Sequence, residues 1–240
     1  VSATVVITQP MFFPWVGLLE QVKLADVVVF YDDVQFARGF FNRVQIKTGA
    51  GTPWMTVPLA DLHRGQLINQ VRVDNTRPWR QEHIGALTEA YRRAPHLQRM
   101  LDLVRRVYDQ PYETLDQLSI ASTLALCEHF GLRPSRGFVR SSQLGVPGRA
   151  WERLLAITLH MGGDVYVSGH GGKNYIDHPA MAAQGVDVRY MEYAKQPYPQ
   201  LHGPFTPFVS ALDLVASEGE AGAARIGSPA VSWRELGIPA

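Results

Sequence analysis

The sequence predicts an α/β fold built on an open, doubly wound parallel sheet, with a β-hairpin excursion and an inserted helical subdomain. Three observations predict it. Short β-branched runs, of the kind buried on both faces of a parallel sheet, recur along the chain. Amphipathic stretches of helix length separate them, as parallel strands require. Polar, often glycine-rich segments follow the runs, where open sheets place their ligands. The 240 residues, 46% of them hydrophobic, suffice for a sizeable core, read as a single α/β domain over 1–240.

The elements follow in order. Thr4–Thr8 (TVVIT) is a strand ending at Gln9-Pro10. After the loop MFFPW, residues 16–25 (VGLLEQVKLA) put Leu18, Leu19, Val22 and Leu24 on a helix face, and 26–31 (DVVVFY) is a second strand. Strand, helix and strand in about thirty residues form a right-handed βαβ unit. Residues 42–59 alternate around Thr48-Gly49-Ala50-Gly51, a hairpin signal. Residues 78–131 are helical, divided by Pro95 and Pro111 and closed by Gly131, and read as an insertion or lid. The alternation then resumes. Phe138–Arg140 is a strand before Ser141-Ser142, 151–161 a helix, 164–168 (DVYVS) a strand, 179–184 a short helix and 186–191 (VDVRYM) a strand. The tail from Ser217, rich in Gly, Ala and Ser, is expected to be loosely held.

Composition excludes several classes. Lys plus Arg number 23 against 22 Asp plus Glu, so no electrostatic footprint for nucleic acid or an acidic membrane is expected. Arg92, Arg93, Arg99, Arg105 and Arg106 share one helical stretch and read as a solvated face. The single cysteine, Cys127, lies in the apolar run LALCEHF and reads as core. With neither a membrane span nor a signal-peptide pattern in view, a cytoplasmic protein is expected.

Ligands of open parallel sheets bind beyond the carboxyl ends of the strands. Those segments here are QPMFFPWVG, DDVQFARGFFNR, SSQLG and SGHGGKNYID. Ser168, Gly169, His170, Gly171, Gly172, Lys173 and Tyr175 leave a strand toward a helix, so backbone N–H groups could face an anion with Lys173 adding charge. The spacing is not that of a P-loop, and a tight turn demanding positive φ is the structural alternative. Asp32 and Asp33 end an apolar strand near Arg38, Arg43 and Lys47; pairing with Arg43 is the structural alternative to a site role. His160 reads as structural. His170, Asp177 and His178 match no familiar metal spacing, so no metal is expected.

The stretch ITQPMFFPWVGLLEQVKLADVVVFYDDVQFARGFFNRVQIK, followed by WMTVPL, VYVSGHGGKNYID and YPQLHGPFTPFVSALDLV, resembles the WbqC-like family over almost the whole length. That resemblance implies a role in surface-polysaccharide or natural-product biosynthesis. The opening β-strand, Pro-rich loop, helix and ADVVVFYDDVQF also resemble pantothenate synthetase and related nucleotidyltransferases. The latter likeness implies a Rossmann-like framework. Those enzymes bind ATP phosphates with an HxGH motif; FPWVG keeps Pro14 and Gly17 but neither histidine, so ATP use does not carry over.

The resulting expectation is an enzyme transferring an acyl or aminoacyl group to the amine of a sugar or natural-product intermediate, from a thioester donor or carrier protein. His170 is expected as general base and Asp33 as a second catalytic residue, positioning substrate with Asn42. Gln9, Pro14, Gly17, Gln35, Arg38, Arg43 and Lys47 join the Ser168–Tyr175 residues as substrate-binding candidates. One alternative is an ATP-dependent amide ligase of pantothenate synthetase type. The other is a non-catalytic sugar- or nucleotide-binding partner in a biosynthetic complex.

Overall fold

Runs such as Val27-Val28-Val29 carry no polar side chain on either side, so both faces of the sheet they form must be covered. In the computed structural model, which describes residues 2–238, β1 (Thr4–Thr8) and β2 (Val27–Phe30) are parallel neighbours joined through α1 (Val16–Leu24). The chain then leaves the sheet. β3 (Arg43–Gln45) and β4 (Trp54–Thr56) form the hairpin, closed by Thr48 bridging Gly51. β5 (Leu59–Ala60) and β6 (Arg72–Val73) make a second antiparallel pair, too short to announce itself in the sequence.

Three helices follow: α2 (Trp79–Ala90), α3 (Leu97–Tyr108) and α4 (Leu115–His129), the last started by a capping box between Thr114 and Gln117. β7 (Phe138–Arg140) returns to the sheet beside β2. α5 (Ala150–His160) leads to β8 (Val165–Ser168), which pairs with the other side of β1. α6 (His178–Ala183) leads to β9 (Asp187–Met191), parallel to β8. After α7 (Leu212–Glu218), β10 (Ala230–Ser232) closes the sheet antiparallel to β9. The sheet order is β10-β9-β8-β1-β2-β7.

The two faces bury different helices. Val6, Val28 and Val167 point into a cluster with Leu19 of α1, Leu103 of α3, Leu126 of α4 and Leu214 of α7. Val5, Val27, Tyr166 and Val188 point the other way, onto Leu154 and Ile157 of α5 and Met181 of α6. Each such fully buried aliphatic side chain contributes about 1.5–3 kcal/mol. The helical insertion therefore shares its core with the sheet. Cys127 lies inside that core, where burial pushes its thiol up to about 12. Among the described residues, no helix is long and apolar enough to cross a membrane.

The tail departs from expectation. Leu214, Val215, Ala216 and Ile226 are fully buried, and the backbone N–H of Trp233 donates to the Val188 carbonyl at 3.0 Å. Small residues there permit close approach rather than looseness: a Cβ on Gly222 would come within 2.8 Å of the Leu214 side chain.

Candidate functional site at the carboxyl edge of the sheet

The chain steps from β1 outward to β2 and β7, then returns to β1 and proceeds through β8 and β9 in the opposite direction. The order reverses between β1 and β8, the point at which open parallel sheets place their ligands, outside the strands' carboxyl ends. Thr8 pairs with Phe30 and Val6 with Val167, so the register continued brings Gln9 out between Tyr31 and the Gly169-His170 step.

On the β2–β7 half Asp32, Asp33 and Arg140 are all paired. The carboxylate of Asp32, fully buried, accepts from the Ser141 hydroxyl at 3.1 Å, the Ser142 N–H at 2.9 Å, the Ser142 hydroxyl at 2.7 Å and Arg140 Nε at 2.8 Å. Burial opposes its ionisation, but the Ser142 and Arg140 donors outweigh burial and hold the carboxyl below its ordinary value. Arg140 also pairs with buried Asp116 of α4. Asp33 accepts from Ser141 and forms an ion pair with Arg153 of α5, whose guanidinium lies 5.0 Å from the centre of the Tyr31 ring. The partners of the two aspartates are thus Arg140 and Arg153, not Arg43.

The β1–β8 half is different. Gln9 Oε1 is buried with no hydrogen-bond partner among the described residues. Ser168 ends β8, and residues His170–Asn174 form one tight helical turn, with the Gly172 N–H donating to the Gly169 carbonyl at 3.0 Å. None of Gly169, Gly171 and Gly172 adopts positive φ. Close approach explains Gly172 instead, where a Cβ would sit 2.5 Å from Ser168 Oγ. His170 is exposed, its ring 6.2 Å from that of Tyr190, and it makes no hydrogen bond among the described residues. Lys173 places Nζ 5.3 Å from the centre of the Tyr190 ring, and Tyr175 stands half exposed. Lys173, Tyr175 and His178 line a cavity of about 540 Å³. His178 itself is structural: buried, 2.7 Å from the Tyr190 hydroxyl and stacked on Trp233. Burial lowers its imidazole below the usual range.

The remaining candidates sit elsewhere. Arg38, Asn42 and Arg43 line a cavity of about 390 Å³ beside the hairpin. Gln35 is exposed and bridges Leu67. Lys47 is buried away from that cavity, its ammonium donating to Gln200 Oε1 at 2.9 Å and to the Gly203 and Pro204 carbonyls. Burial, set against the nearby Asp213 carboxylate, lowers its pKa. The Pro14 carbonyl accepts from the Ala211 N–H at 2.8 Å, and the Trp15 ring lies where a Gly17 Cβ would stand, so both are packing positions. His160 is exposed at the end of α5. A groove of about 1210 Å³ lies between α3 and the end of α4, away from the sheet-edge residues, and Arg99 and Glu220 pair across it. Sequence proximity missed Arg140, Arg153 and Tyr31. Only Ser141-Ser142 carried a signal, as the polar step after a strand.

The chain matches the WbqC-like protein family over residues 9–225. It belongs to that family. It is also similar to the uncharacterized protein Rv1507c of Mycobacterium tuberculosis, 30% identical over 219 residues that cover 90% of this chain and 94% of the relative. No solved structure matches. The family match takes in Gln9, the β2–β3 loop, the hairpin and the whole of the Ser168 to Tyr175 turn, so both halves of the sheet edge fall inside it.

Proposed function

We propose that this family member transfers an acyl or aminoacyl group from a thioester to the amine of a sugar or natural-product intermediate, on a Rossmann-like framework. The sheet order and the helices covering both faces support the framework. One observation carries the chemistry: Gln9 keeps a buried acceptor oxygen unpaired, and the register of β1 against β8, continued past the strand ends, brings Gln9 opposite His170, whose imidazole is exposed and makes no hydrogen bond among the described residues. A buried acceptor without a donor costs about 1–3 kcal/mol, and a substrate amine supplies the missing N–H.

In this reading the amine nitrogen attacks the thioester carbonyl carbon. His170 takes the ammonium proton as the C–N bond forms, and the carbon–sulfur bond breaks to release the thiol. The backbone N–H groups of His170 and Gly171, at the start of the turn, steady the oxyanion, and Lys173 adds positive charge nearby. Asp33, held by Arg153, fixes the sheet edge rather than exchanging protons.

The test is incubation of the protein with a phosphopantetheine thioester and an amino sugar, following free thiol and amide together. Thiol released in step with amide, without ATP, is the expected result. Pyrophosphate or ADP formed from ATP selects the ligase alternative, and saturable binding without turnover selects a binding partner.

A further inference from the structure

The cavity of about 390 Å³ beside the hairpin has a composition of its own. Its floor is apolar, with Phe36, Val57, Leu59 and Leu62, and its only charged lining residues are Arg38 and Arg43. Arg43 lies 4.4 Å above the Trp54 ring and donates from Nε to the Gly39 carbonyl at 3.1 Å, which fixes the plane of the guanidinium. Its two terminal nitrogens have no hydrogen-bond or ion-pair partner among the described residues. Neither has Arg38, which is exposed. Of the carboxylates near these residues in the sequence, Asp33 is paired with Arg153, and Asp61, beside Leu62, lies 3.9 Å from Arg72.

A cation held in plane by an aromatic ring, with its outer nitrogens open, is preorganised for two-pronged recognition of a phosphate or carboxylate. A volume above about 300 Å³ with apolar walls and a few convergent polar groups is the usual form of a small-molecule site. We propose that this cavity binds a small molecule bearing an oxyanion, phosphate or carboxylate, on an apolar body: Arg38 and Arg43 take the anion and the Phe36–Leu62 floor takes the body. The site is separate from His170 and does not depend on acyl transfer.

Calorimetric titration at low salt with phenyl phosphate, benzoate and benzyl alcohol tests it. At least one of the two anions binds and the alcohol does not; which anion is preferred decides between phosphate and carboxylate. Arg43→Gln and Arg38→Gln each weaken that binding about ten- to a hundredfold, the worth of one charge-assisted hydrogen bond. Arg38 is exposed and holds no hydrogen bond or ion pair among the described residues, so its variant holds the test should Arg43→Gln unsettle the hairpin. His170→Ala binds the anion as the parent does. The proposal falls if neither anion binds the folded protein at millimolar concentration, if both arginine variants bind normally, if the alcohol binds equally well, or if His170→Ala abolishes binding.

Discussion

At the β2–β7 half of the sheet edge Asp32 receives four hydrogen bonds and Asp33 is shared between Ser141 and Arg153, whereas at the β1–β8 half Gln9 Oε1 has no partner and His170 stands free. Both halves are polar and both close parallel strands. The difference lies in saturation. A carboxylate with all its lone pairs engaged organises the protein and has nothing left for a ligand, while an unpaired buried acceptor is an unfinished contact. Polarity at a strand end is therefore a weak guide to a site, and unmet hydrogen-bonding capacity a better one.

The largest effect expected from this contrast is on stability. Asp32→Ala removes the acceptor of the Ser142 N–H and hydroxyl and one of the two carboxylates that hold Arg140, and should cost about 3–5 kcal/mol by urea unfolding, the range for breaking a buried pair. A loss under about 1 kcal/mol would erase the distinction between the halves. The same carboxylate sets a pH dependence. Its folded pKa lies below the ordinary 3.8, so its stabilisation is complete above that value and is lost as pH falls toward and through the folded value. In Asp32→Asn the acid limb of the stability profile should flatten in that range.

On the other half the effects move from stability to activity. His170→Ala should lower turnover by about two to four orders of magnitude with melting hardly changed, as the role of general base proposed for this exposed residue requires. A fall in stability without a fall in turnover would make the β1–β8 half as structural as its neighbour. Gln9→Leu replaces an unsatisfied oxygen with an apolar group, so unfolding should be neutral or slightly harder while KM for the amine rises about tenfold. A destabilised Gln9→Leu would mean that the oxygen is paired after all. Smallest, Lys173→Ala should weaken an anionic ligand severalfold and leave the melting temperature unchanged, because a lysine lying over the Tyr190 ring contributes little to packing.

The sheet was legible because runs such as VVIT and VVVF admit few environments other than burial on both faces. The hairpin showed through its glycines, and the helices through prolines at their boundaries. What stayed hidden is non-local. Asp32 and Asp33 find arginines 108 and 120 residues away, while the nearby Arg43 stacks on Trp54. Lys47, close in sequence to the candidate cluster, is drawn inward by carbonyls of a segment more than 150 residues later. Gly and Ala in the tail read as slack because composition does not reveal what packs against a missing side chain.

That tail also governs how the molecule meets its own copies. β10 covers the outer edge of β9 in antiparallel register, with Ala230 opposite Met191 and Ser232 opposite Arg189, and the Glu192 N–H donates to the Pro229 carbonyl at 2.9 Å. Without it, Asp187–Met191 would offer an unpaired row of amides flanked by Val188, Tyr190 and Met191, a template for strand addition between molecules. The opposite edge, β7, runs for only three residues and ends at an arginine already engaged by Asp32 and Asp116. A late segment of small residues thus acts as the guard against edge-to-edge aggregation, and shortening the chain before Ala230 would trade a folded sheet for a sticky one.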